Sequence, residues 1–138
     1  NDRHVLLSDY AHHPKEILQS AKSLKEIYPN RKITVIFQPH LYSRTNDFYR
    51  DFAEALSHFD EVVLTEIYPA REEPIPGVTS ALIYDNLSSN VEKQMIKKDD
   101  VLEFAKGRDF DVLVVLGAGN LDNYVGQLTE IIKEKEQR

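Results

Sequence analysis

Two short runs, "ITVIF" at 33–37 and "VLVVL" at 112–116, carry apolar side chains on both faces. Successive side chains of a strand point to opposite sides, so such strands must be covered from above and below. That is the situation inside a sheet layered between helices, and sheets of that kind are mostly parallel. Four segments read as strands by this pattern: His4–Asp9, Lys32–Gln38, Glu61–Glu66 and Asp111–Leu116. Val91–Ile96 is a weaker fifth. Helical patterns lie between them, giving βαβαβ, a loop, then αβαβα. The sequence therefore predicts an α/β fold: an open, mostly parallel sheet with helices on both faces and right-handed crossovers.

The helices show their own signals. Pro14 suits a first helical turn, and Ile17, Ala21, Leu24 and Ile27 then recur on one face. Thr45 or Asn46 is the expected cap of the next helix, with Phe48, Phe52, Ala55, Leu56 and Phe59 as its stripe. Thr79 or Ser80 can cap "ALIYDNL", and Asp99 can cap "DVLEFAKG", which Gly107 closes. A last helix is expected over Leu121–Glu136. The segment Ile67–Val78, "IYPAREEPIPGV", holds three Pro and one Gly and reads as a long ordered loop, a type that often carries function.

A length of 138 residues fits one domain with a sizeable core. The chain opens on Asn1 rather than Met, directly on a strand, which reads as residues 1–138 being one domain cut from a longer protein. A net charge of −6 disfavours nucleic acid and anionic membrane as partners. The absence of Cys removes thiolate chemistry and accords with a reducing cytoplasm. The longest apolar run, "VLVVLGA", is far too short to span a bilayer.

In open α/β sheets ligands bind beyond the carboxyl ends of the strands. Here those ends run into "SDYAHHP", "QPHLYSRT", "EIYPAREEP" and "GAGN", whereas the opposite ends carry plainer turns such as "PNRK". One edge of the sheet is thus marked as the binding edge. On that edge His12 and His13 lack a third ligand at zinc-like spacing, so no metal site is expected; His13 is read as packing against or capping the helix, and His12 as facing the cleft. Asp9 is open between a turn or capping role and ligand contact. His40 and Arg44 sit beside a helix start, where amide groups and a guanidinium fork favour an anion; a surface pairing of Arg44 with Asp47 or Asp51 is the equal alternative. Arg71, Glu72 and Glu73 read as a solvated loop or local ion pair. "GAGN" lacks the third Gly of a dinucleotide fingerprint, and no GxxxxGK[ST] or GxSxG occurs in the chain.

"DYAHHPKEI", "FQPHLYSRT", "YPAREEPIPGVTS" and "GAGN" occur in the order found in the C-terminal domain of the Mur ligases of peptidoglycan synthesis, in the branch that adds alanine. The chain resembles that domain over essentially its whole length. The resemblance implies a Rossmann-like fold in which one strand commonly runs antiparallel; the direction of the strand near Val91 is left open. It implies an ATP- and Mg2+-dependent ligase that joins L-alanine to UDP-N-acetylmuramate through an acyl phosphate, with the phosphate loop, metal-binding acids and catalytic Lys in other domains. The isolated domain is then inactive and binds neither cofactor alone. Tyr10, His12 and Arg44 would line the alanine pocket, Arg44 taking the carboxylate, with His40 as a neighbour and Asp9 facing the nucleotide. Leu41 stands where some members have a second Arg, so the clamp would rest on Arg44 and backbone amides. Two other readings remain: a ligase that recycles murein tripeptide, and a stand-alone α/β module that binds a small anion without catalysis.

Overall fold

A computed structural model describes residues 5–9, 13–107, 111–116 and 125–136. Five strands, β1 (Val5–Asp9), β2 (Ile33–Phe37), β3 (Glu61–Leu64), β4 (Glu92–Met95) and β5 (Val112–Leu116), form one sheet in the order β1-β5-β2-β3-β4. Every pairing is parallel. The weak fifth strand is thus β4, parallel to β3, and no antiparallel strand occurs among the described residues.

The connections are α1 (Pro14–Ile27), α2 (Tyr42–Leu56), α3 (Ala81–Tyr84) and α4 (Val101–Lys106), the last entered through a 3-10 turn at Lys98–Asp100; α5 (Val125–Glu136) ends the described chain. The chain advances across the sheet from β1 to β4, then steps back to insert β5 between β1 and β2. Crossovers of one hand put helices on one face while the chain advances and on the other when it reverses. Strand alternation follows this division. Val35, Phe37, Val62, Leu64, Val112, Val114 and Leu116 pack with Ile17, Ala21 and Leu24 of α1, Phe52 and Leu56 of α2 and Ile83 of α3. Ile36, Val63, Leu113 and Val115 pack with Val101 and Ala105 of α4 and Leu128 and Ile131 of α5.

Three helix details differ from expectation. Helix α2 starts at Tyr42, before Thr45 and Asn46; Thr45 is buried within it, its hydroxyl donating to Leu41 O at 2.9 Å. Phe48 and Ile27 are exposed rather than in the core stripe. Asp100 rather than Asp99 stands at the start of α4, without a side-chain cap bond. Ser80 stands at the N-cap of α3 without a side-chain bond, while Thr79 just before it accepts from Ala81 N at 3.1 Å. Among the described residues no helix is long and apolar enough to cross a membrane.

Candidate functional site at the carboxyl edge of the sheet

The parallel register puts the strand ends in one row. Asp9 and Phe37 both lie opposite Leu116, and the row continues as Gln38 N donates to Leu116 O, Thr65 N to Phe37 O and Ile96 N to Leu64 O. Asp9 therefore ends β1 at the binding edge. Tyr10 and His12 lie outside the described residues, as does "GAGN" beyond Leu116. His13, which follows them, is the N-cap of α1: its Nδ1 accepts from Lys15 N at 3.4 Å, and its ring meets Phe48 of α2 at 5.9 Å. Its scaffold role is the one expected. Pro14 fills the first turn, as its fixed φ and missing N–H favour.

The tail of β2 is stitched to the tail of β3. His40 bridges Tyr68 in parallel fashion, with Leu41 N donating to Tyr68 O and Tyr68 N to Pro39 O, both at 2.8 Å. The His40 and Tyr68 rings stack at 5.6 Å. Leu41 turns the chain into α2 with φ of 73°, a left-handed value costly for a residue with a Cβ.

Arg44 is half-buried in the first turn of α2, with Nη1 3.4 Å from His40 Nδ1. A guanidinium has only donors, so a hydrogen bond here is accepted by Nδ1 of His40. Arg44 forms no ion pair with Asp47 or Asp51 or with any other described carboxylate. Four residues before Phe48, it lies on the side of α2 that meets His13. The structure thus brings His40 and Arg44 together beyond the end of β2, at the start of α2.

An anion does sit at the α2 N-terminus, and it is the chain's own. Glu72, from the loop 67–78, accepts from Ser43 N at 3.1 Å and from Ser43 Oγ in a short contact. The Ser43 hydroxyl is the largest influence holding the Glu72 carboxyl below its ordinary range, followed by the Ser43 amide; burial opposes them, and the Tyr42 amide adds a smaller effect in their direction. Glu72 is therefore a helix cap rather than a solvated loop charge. Nothing local marks it, because its partner lies 29 residues away.

Two further features escape the sequence. Gln38, buried at the end of β2, leaves Oε1 without a hydrogen-bond partner among the described residues while Nε2 reaches Glu66 O at 3.5 Å. Beyond β3 and β4 lies a cavity of about 520 Å3, walled by Tyr42, Ile67, Val78, Ser80, Met95 and Ile96. It opens where α3 leaves toward one face and α4 toward the other, a reversal at which open sheets form crevices. Among the described residues no cluster of three or more His, Asp or Glu could hold a metal ion.

Comparison with known proteins supplies relatives. Residues 1–119 match the family described as Mur ligase, glutamate ligase domain. The chain is 56% identical over 135 residues to a UDP-N-acetylmuramate–L-alanine ligase of Phocaeicola vulgatus, covering 98% of this chain and 30% of that one. It is 54% identical over 125 residues to an enzyme of the same name from Porphyromonas gingivalis, covering 90% of this chain and 27% of that one. The crystal structure of the Thermotoga maritima UDP-N-acetylmuramate–alanine ligase superposes with a TM-score of 0.73 at 30% identity, over 97% of this chain and 28% of that one. The chain thus spans under a third of the length of these relatives. A murein peptide ligase of Psychrobacter arcticus, 16% identical with a TM-score of 0.72 over 94% of this chain and 28% of that one, shares the fold.

Proposed function

The chain belongs to the Mur ligase family, as its glutamate ligase domain, and on that premise we propose that it is the amino-acid-binding domain of the ligase joining L-alanine to UDP-N-acetylmuramate. The relatives at 56% and 54% identity carry that name, which favours alanine over murein tripeptide and over a stand-alone module. The complete cytoplasmic enzyme would use ATP to activate the muramate carboxylate as an acyl phosphate, and this domain would present the amine that attacks it.

The observation that carries the reading is Arg44: half-buried, on the binding edge, and without a carboxylate partner among the described residues. Its planar fork suits the alanine carboxylate, and gripping that end leaves the amine directed outward at the acyl carbon. His40, held against Arg44, limits the rotation of the fork. Tyr10 and His12 complete the alanine pocket in this reading, and Asp9, at the end of β1, faces the nucleotide. The described residues do not offer a ligand set for Mg2+, and the sequence has no phosphate-loop motif; the metal and ATP phosphates are assigned to the remainder of the ligase, and no step here runs through them.

Arg44→Ala in the complete ligase removes a charged hydrogen-bonding pair with the substrate. It should raise the KM for L-alanine about 10- to 100-fold with little change in that for ATP. An unchanged alanine KM in steady-state assays would remove Arg44 from the pocket.

A further inference from the structure

We infer that Glu72 is a positioning residue for the amino-acid carboxylate: by occupying the N-terminus of α2 it aims Arg44 and leaves the guanidinium as the anion site open to substrate. The inference rests on the reading of Arg44 given above.

Helix α2 has no local means of fixing its start. Its N-cap, Leu41, offers no side-chain acceptor and enters at φ of 73°. The first-turn amides of a helix need outside partners and attract anions. Glu72 supplies both partner and charge, through Ser43 N and Ser43 Oγ. Arg44 is the next residue, so whatever fixes the Ser43 peptide fixes the direction in which the Arg44 side chain departs. The loop is also fastened at Tyr68, through Pro39, Leu41 and the His40 ring. Two ties, at Tyr68 and Glu72, therefore hold the short segment that presents His40 and Arg44.

The arrangement also removes a competitor. The helix N-terminus and the Arg44 guanidinium are two anion sites one residue apart. A substrate carboxylate drawn to the Ser43 amide would turn its amine away from the reacting carbon. Glu72 fills that first site without ion-pairing to Arg44, so one productive site is left. A local Ser or Asp cap would fill it too, but would not couple the β3 loop to the substrate-binding turn.

Glu72→Gln, Ser43→Ala and the double variant in the complete ligase test this, with Glu73→Gln as a control in the same loop. Each of the first three should raise the KM for L-alanine about tenfold, with kcat and the KM for ATP within about twofold of the parent. The double variant should be no worse than Glu72→Gln alone, since the Ser43 hydroxyl acts through the Glu72 carboxylate. Ser43→Ala leaves the loop carboxylate in place and keeps the test open should Glu72→Gln fold poorly. An unchanged alanine KM, or a rise shared equally with that for ATP, overturns the inference. Arg44→Ala is assayed beside them: if it raises the alanine KM while Glu72→Gln and Ser43→Ala do not, only the positioning role falls. If it too leaves that KM unchanged, the alanine reading falls with it.

Discussion

The two helix N-termini on the binding edge are held in opposite ways. Helix α1 is capped by its neighbours in sequence: His13 accepts from Lys15 N, and Pro14 presets the first turn. Helix α2 is capped from 29 residues away by Glu72, across a loop rich in Pro. A local cap forms as the helix forms. A distant cap forms only when the β3 loop has docked, so the α2 start reports on tertiary structure. That difference accords with the contents: the α1 cap stiffens scaffold, while the α2 cap sits one residue before the proposed substrate-binding Arg44.

The comparison can be sharpened by variants that act on one helix start only. The largest effect is expected at Leu41. In an ordinary loop Ala is more stabilising than Gly, but the left-handed φ should reverse this, making Leu41→Gly more stable than Leu41→Ala by about 1 kcal/mol in urea unfolding. The ordinary order would mean that α2 starts without backbone strain. A smaller effect is expected at α1. His13→Ala should cost about 0.5 kcal/mol, because an exposed 3.4 Å bond is a weak cap and Pro14 remains; a loss equal to that of a strong Asp or Ser cap would erase the contrast. The smallest is a titration. A carboxyl held below its ordinary value contributes above its unfolded-state value, and its contribution fades as pH falls through the lower folded-state value. The Ser43 amide resonance should therefore move with a midpoint more acidic than the ordinary glutamate value. A midpoint at or above the ordinary glutamate value would mean that Glu72 is loosely held.

Features set by neighbouring residues are legible in the sequence. The five strands, the Pro14 start of α1 and the Thr79 bond at the start of α3 follow from periodicity and turn chemistry. The scaffold role of His13 follows on the same grounds. What stays hidden depends on closure over long separations. Thr45 and Asn46 are good caps by type, yet the Leu41–Tyr68 and Ser43–Glu72 contacts start α2 one turn earlier. Phe48 fits a core stripe by spacing, but it faces His13 and lies exposed. The direction of β4 and the insertion of β5 between β1 and β2 are choices of pairing that no window of sequence contains. For the site, Arg44 and His40 stand out by their position beside a helix start; that alanine is the ligand comes from family resemblance, because a fork for a carboxylate does not specify the rest of the molecule.

The position of β5 also sets an order of assembly. Among the described residues β1 pairs with β5 alone, across 107 residues from Val5 to Val112, whereas β2, β3 and β4 pair in succession as they emerge. The sheet can zip from β2 onward, but the strand that ends in Asp9 has no place to settle until residues 112–116 arrive. Contacts so far apart in sequence are late and slow to form. The first strand of the chain is thus among the last to lock, and a truncation that removes β5 would leave the β1 end of the binding edge unattached while the β2–β3–β4 half could still assemble.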